Sequence, residues 1–171
     1  MYDRAPVAAD RKCDPTGNSI MSGITDLQTL LAGLKPILVP GDYVFVTLPK
    51  AKFGDGAELE PIAAFTETEG MTLVIPKALA GKSGQQSSGE FRMITLQVHS
   101  ALNAVGLTAA VADALTKRGI SANIIAAYYH DHVFVPSSRA DDALDALNAL
   151  ANASADRASR SGIQQEERKS Y

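Results

Sequence analysis

The tightest constraint on the fold is a change of hydrophobic period along residues 91–151. Residues 91–99 alternate, with Met93, Thr95, Gln97 and His99 on one side and Arg92, Ile94, Leu96 and Val98 on the other. That is the period of a strand. After a turn at residues 100–103, the positions Leu107, Val111, Ala114, Leu115 and Arg118 recur with helical spacing over residues 104–118, and Gly119 is a suitable residue to end the helix. Residues 121–129 and 132–136 read as a hairpin with His130 and Asp131 at its tip. Residues 139–151 close the pattern as an amphipathic helix carrying Ala140, Ala143, Leu144, Leu147 and Leu150 on one stripe.

Strand, helix, strand, strand, helix is a split βαβ unit lacking only its last strand. The first half offers related pieces. Leu27, Leu30, Leu31 and Leu34 share a helix face capped by Thr25 or Asp26, and Pro36 ends that helix. Residues 37–39 and 43–48 read as two short strands joined by a tight turn at Pro40-Gly41-Asp42. Residues 62–66 and 71–75 form a second hairpin, and Pro76 starts a short helix. The expected fold class is therefore α+β: two ferredoxin-like units of βαββα(β) order, antiparallel sheets with helices on one face, and some exchange of elements between them. The expected division is an N-terminal extension at residues 1–20 without fixed structure, a first unit at 21–82, a Gly/Ser-rich linker at 83–90, a second unit at 91–151 and a polar tail at 152–171 that frays into disorder.

Composition narrows the function. The net charge is −3 and the basic residues are scattered, so no patch matches a phosphate backbone, and nucleic acid is not an expected partner. No apolar run reaches bilayer length, no secretory signal opens the chain, and the single Cys13 lies in the polar lead. These features give the expectation of a cytoplasmic protein without a membrane partner. No Gly-x-Ser-x-Gly elbow follows a strand, Ser83, Ser87 and Ser88 lie in the linker, and the Gly-rich stretches lack a Walker pattern. Asp141, Asp142 and Asp145 sit in the first turn of a helix, where they favour its dipole. No catalytic set and no cofactor are expected.

The stretch Val98-His99-Ser100-Ala101-Leu102-Asn103-Ala104-Val105-Gly106-Leu107-Thr108, followed by Lys117-Arg118-Gly119-Ile120, resembles the ACT-domain signature. Residues 21–150 as a whole resemble the small bacterial tandem-ACT proteins, through Gly41-Asp42-Tyr43-Val44-Phe45, Glu69-Gly70-Met71-Thr72-Leu73-Val74 and Tyr128-Tyr129-His130-Asp131-His132-Val133-Phe134-Val135-Pro136. The second half is also similar to the ACT units of cellular arginine sensors. The resemblance implies a non-catalytic regulatory protein that binds a small molecule, an amino acid, between ACT units and forms a homodimer. Many ACT domains carry Asp-x-Pro-Gly in the ligand turn; here residues 100–106 contain no proline, which leaves the ligand open.

The residues supply a physical reason for binding at that turn. A strand running into a helix leaves the first helical N–H groups without partners, and with the dipole they attract a carboxylate. The expected ligand-binding set is Ser100, Ala101, Leu102, Asn103, Val105, Gly106, Leu107 and Thr108, with Glu67 or Glu69 of the first half pairing with a ligand's ammonium group. Against it stands a plainer reading, in which Ser100 or Asn103 caps the helix and Gly106 eases helix–sheet packing. Two further functions stay open: an interaction or dimerisation domain with no ligand, and a metal-dependent enzyme using His99, His130 and His132. Solvated turn histidines are the simpler account of that trio.

Overall fold

Alternation along residues 91–96 is realised as the central strand of a seven-stranded sheet. The computed structural model describes residues 23–169 except residue 88, with side chains described to residue 160. The expected extension at 1–20, Cys13 within it, and Ser88 of the expected linker lie outside the described residues.

In chain order the elements are helix α1 (Leu27–Ala32), strands β1 (Pro36–Leu38), β2 (Tyr43–Pro49), β3 (Ala63–Glu67), β4 (Gly70–Pro76) and β5 (Phe91–Leu96), helix α2 (Leu107–Thr116), strands β6 (Asn123–Ala126) and β7 (Asp131–Pro136), and helix α3 (Ala140–Lys169). Short 3-10 turns at Ala57–Leu59 and Lys77–Ser83 stand where the first half would otherwise carry helices. The strand order is β3-β4-β2-β5-β7-β6, all neighbours antiparallel, with β1 also on β5. This is the expected ferredoxin-like α+β architecture.

The expected exchange of elements takes a definite form. β1 does not form a hairpin with β2, contrary to the sequence reading. Ile37 instead pairs with Thr95 of β5, while Val46 pairs with Leu73 of β4. Pro40 and Gly41 (φ +93°) redirect the chain from one pairing to the other, and Tyr43 opposite Phe91 joins the two halves into one sheet. β1 is thus the strand the second unit lacked. α1 travels with it: Leu30, Leu31 and Leu34 are buried against Leu107, Val111 and Leu115 of α2 and Ala143 and Leu147 of α3. Asp26 caps α1, its Oδ1 accepting from the Thr29 amide at 2.8 Å and the Thr29 hydroxyl at 2.6 Å.

Tyr43 and Phe91 are register partners, so the alternation continues across the junction. Val44 and Val46 of β2 face the same side as Ile94 and Leu96 of β5, and both units bury their main cores on that side. The opposite side carries Tyr43, Phe45, Phe91 and Phe134, which meet edge to face at centroid distances of 5.3–6.1 Å.

Several boundaries differ from expectation: β5 ends at Leu96 and not at 99, α2 spans Leu107–Thr116 and not 104–118, and β6 spans only Asn123–Ala126 of the expected 121–129. The C-terminal helix does not stop near Ala151; its backbone continues to Lys169, and Ser154, fully buried, donates to the Leu150 carbonyl at 2.9 Å. The hairpin tip is also displaced, because Asp131 pairs with both Ala126 and Leu96 and so belongs to β7. Among the described residues no helix is long and apolar enough to cross a membrane.

Candidate functional site

Where β5 ends, Val98 is buried and the chain turns through residues 99–106 into α2. The turn is held by the N-terminal segment: the Ile24 amide donates to the His99 carbonyl and the Ala101 amide to the Ile24 carbonyl, both at 2.9 Å. Gly23 lies so close that a Cβ there would come within 2.4 Å of the Ala101 nitrogen.

Neither Ser100 nor Asn103 caps α2. The N-cap is Gly106, which has φ +101° and offers no side-chain hydrogen bond. The first helical bond comes from the Ala110 amide, so the N–H groups of Leu107, Thr108 and Ala109 have no acceptor within the helix. The positive end of a ten-residue helix is therefore left open. Gly106 serves the backbone and the packing at once, since a Cβ there would lie 2.9 Å from a Leu27 methyl. Gly106→Ala should lower unfolding stability by about 1 kcal/mol, from the left-handed backbone and a displaced Leu27. Urea titration with unchanged slope checks this, and an unshifted midpoint would refute it.

Beside this terminus is a hollow of about 70 Å³ lined by Ser100, Ala101, Leu102, Ala104, Leu107, Thr108, Ala126 and Asp131. The volume is roughly that of two or three waters, enough for a charged head group. Asp131 is its notable wall. Only 8% of the residue is exposed, and its carboxylate accepts no hydrogen bond from any described residue. Burial raises its pKa above the ordinary 3.8, opposed in part by the neighbouring His132 and His130.

The sequence-derived set is thus divided. Ser100, Ala101, Leu102, Leu107 and Thr108 line the hollow, whereas Asn103, Val105 and Gly106 do not. Val105 (82% exposed) and Leu102 (70%) stand out from the turn, as do Tyr128 (59%) and Tyr129 (61%) from the β6–β7 connection. Glu67 and Glu69 are not brought to the hollow. They sit at the β3–β4 turn, beside the far end of β2, with the lengths of β2 and β5 between them and the turn after β5. There Glu67 accepts from the Thr72 hydroxyl, and Glu69 accepts from the Thr68 hydroxyl at 2.8 Å, which lowers the Glu69 pKa. Asp131 is the residue that sequence reading missed. The inward positions Val135 and Val133 lead back to it in strand period, a usable signal masked by its polar neighbours.

The three histidines separate. His99 stands 5.4 Å from Tyr129, ring to ring, His132 Nδ1 is 3.0 Å from the Thr95 hydroxyl, and His130 buries its Nδ1 without a partner. Among the described residues no group of three His, Cys, Asp or Glu side chains is placed to hold a metal ion. The metal-enzyme alternative has no ligand set there.

Comparison with known proteins adds the family. An ACT-domain model matches residues 22–92 and a second ACT-domain model matches residues 88–149. The chain belongs to the ACT-domain family. Its two ACT domains stand in tandem and share the sheet described above. A crystal structure from Vibrio cholerae, described as a protein of unknown function and possible transport protein, is 52% identical, covering 76% of this chain and 99% of that one at a TM-score of 0.67. A protein from Agrobacterium tumefaciens is similar in fold at 16% identity, covering 69% and 89% of the two chains, TM-score 0.59. The regulatory subunit of aspartate kinase from Thermus thermophilus shares the ACT fold at 13% identity, covering 67% and 95%, TM-score 0.50. No curated protein matches the chain at a significant level.

Proposed function

We propose that this tandem ACT protein is a non-catalytic regulatory module that binds a small amino acid at the N-terminus of α2. The carrying observation is the pairing of an uncapped helix N-terminus with the largely buried Asp131, whose carboxylate accepts no hydrogen bond from any described residue. The two suit the two ends of a zwitterion. Helix N–H groups favour the ligand carboxylate, and Asp131 favours its ammonium group. In this reading Asp131 takes the ammonium role that Glu67 and Glu69 were expected to fill, while Ser100 and Thr108 offer hydroxyls at the wall.

The surroundings support a homodimer. Leu102, Val105, Tyr128 and Tyr129 form a set of exposed large apolar side chains near the hollow. A second copy seated there would cover them and close a hollow that is too small alone for a whole amino acid. The aspartate kinase regulatory subunit with the same fold is consistent with a regulatory role.

The test is a thermal-shift screen of the twenty amino acids, followed by titration calorimetry and light scattering. A binder at a hundred times its Kd should add about 2.7 kcal/mol to stability. No shift with any amino acid, together with a dimer, would replace this reading with that of a ligand-free interaction module; a monomer throughout would remove the dimer.

A further inference from the structure

β3 and β6 are the two ends of the strand order, yet residues at both ends share one hollow. Ile62 and Ala63, entering β3, face Ile125 and Ala127 at β6, with Met93, Phe134 and His132 between them. The sheet therefore curls until the aromatic sides of the two units approach. Phe134 is 1% exposed there although no helix covers that side of β7. What remains open between the units is a hollow of about 190 Å³.

Its walls restrict what can enter. Six of the seven lining residues are apolar, and the seventh is an imidazole. Apolar cavities near 150 Å³ stay dry and admit a benzene-sized molecule. A charged ligand would lose its hydration here without an opposite charge to replace it. The imidazole has one free handle, because Nδ1 is 3.0 Å from the Thr95 hydroxyl and Nε2 is the ring's remaining hydrogen-bonding atom. Burial and the neighbouring His130 lower the His132 pKa from 6.5, so the ring is neutral at pH 7 and compatible with an uncharged guest. The mouth is accessible, since Ile62 at the rim is 46% exposed and Ala127 is exposed.

We propose that this inter-unit hollow is a second ligand site, for an uncharged molecule of about one ring or a short branched aliphatic chain, whose single polar group hydrogen-bonds His132. It is distinct from the α2 hollow in lining and in chemistry. The two lie on opposite sides of β7, whose adjacent residues Asp131 and His132 face one each. Because the lining comes from both units, a guest would favour one angle between them over others.

Phenol is a suitable probe, added to the full chain carrying labelled Ile, Met and Ala methyl groups and followed by NMR. Saturable shifts are expected at Ile62, Met93 and Ile125, with none at Ala104 beside α2. Ala127→Phe, at an exposed rim position, should weaken phenol binding by about tenfold or more while leaving the melting temperature unchanged. His132→Phe should weaken phenol by about fivefold and leave toluene binding unaltered. The proposal fails if the shifts do not saturate, if Ala127→Phe binds phenol as the parent does, or if His132→Phe affects phenol and toluene alike. Isotope-filtered contacts from a second copy's side chain filling the hollow would also overturn it.

Discussion

Leu30→Ala should destabilise the protein by about 3 kcal/mol, read as a lower urea midpoint with unchanged slope. Leu30 is wholly buried, and its neighbours in the core are residues of the second unit: Ile94 and Val98 around β5, Leu107 and Val111 of α2, and Leu147 of α3. The cavity therefore opens in the core of the second ACT unit, although residue 30 lies in the first half of the chain. Amide exchange makes the prediction specific. Amides of β5 and β7 should lose protection together with those of α1, because β1 and α1 complete that unit. Faster exchange confined to residues 27–38, with β5 and β7 unaffected, would mean that the second unit stands without them.

This exchange of elements marks how far the sequence could be read. Local periodicity carried the β5–α2–β6–β7–α3 order, because each step is decided by side chains a few residues apart. Gly119 was legible for the same reason: a helix end needs a left-handed residue, and its φ is +63°. The pairing of Ile37 and Leu38 was not legible. A three-residue apolar run before Pro-Gly-Asp fits a hairpin with residues 43–48 as well as it fits any other strand. What decides between them is the free side of β5, which exists only after the second unit has formed its other pairs. The C-terminal helix was misjudged because few large apolar residues follow Leu150. Small residues suffice there: Ala151 and Ser154 are buried, so the contact is made by close approach and not by bulk.

The candidate site shows the same limit. The Ser100 turn could be found because a strand feeding a helix exposes N–H groups wherever it occurs. The carboxylate that lines the same hollow, Asp131, could not, since nothing local distinguishes an Asp at a hairpin tip from one drawn into the sheet. Glu67 and Glu69 were natural choices by charge, but register puts them beside Pro49 at the far end of β2, away from this hollow.

Asp131→Asn should produce two effects of opposite sign. Stability at neutral pH should rise by about 1 kcal/mol, because the parent largely buries a carboxylate that accepts no hydrogen bond from any described residue, and the amide carries no charge to desolvate. The pH dependence follows from the direction of the shift. A folded pKa raised above the ordinary 3.8 means that the native state holds the proton more tightly than the unfolded chain. The stability it contributes is complete below the ordinary value and is lost as pH rises through the folded value. Relative to Asp131→Asn, the parent should therefore weaken as pH climbs from about 4, and the gap should stay constant above the folded value. The neighbouring His132 and His130 favour the ionised carboxylate and oppose the effect of burial in part. Ligand affinity should move the other way. Without the carboxylate an amino acid's ammonium would enter the hollow unpaired, and affinity should fall by about a hundredfold. Chemical denaturation across pH 4–8 and titration calorimetry measure the two effects separately. A variant that is more stable yet binds every amino acid as the parent does would remove Asp131 from the ligand site. A variant less stable at neutral pH would mean that the carboxylate is already paired in the native protein.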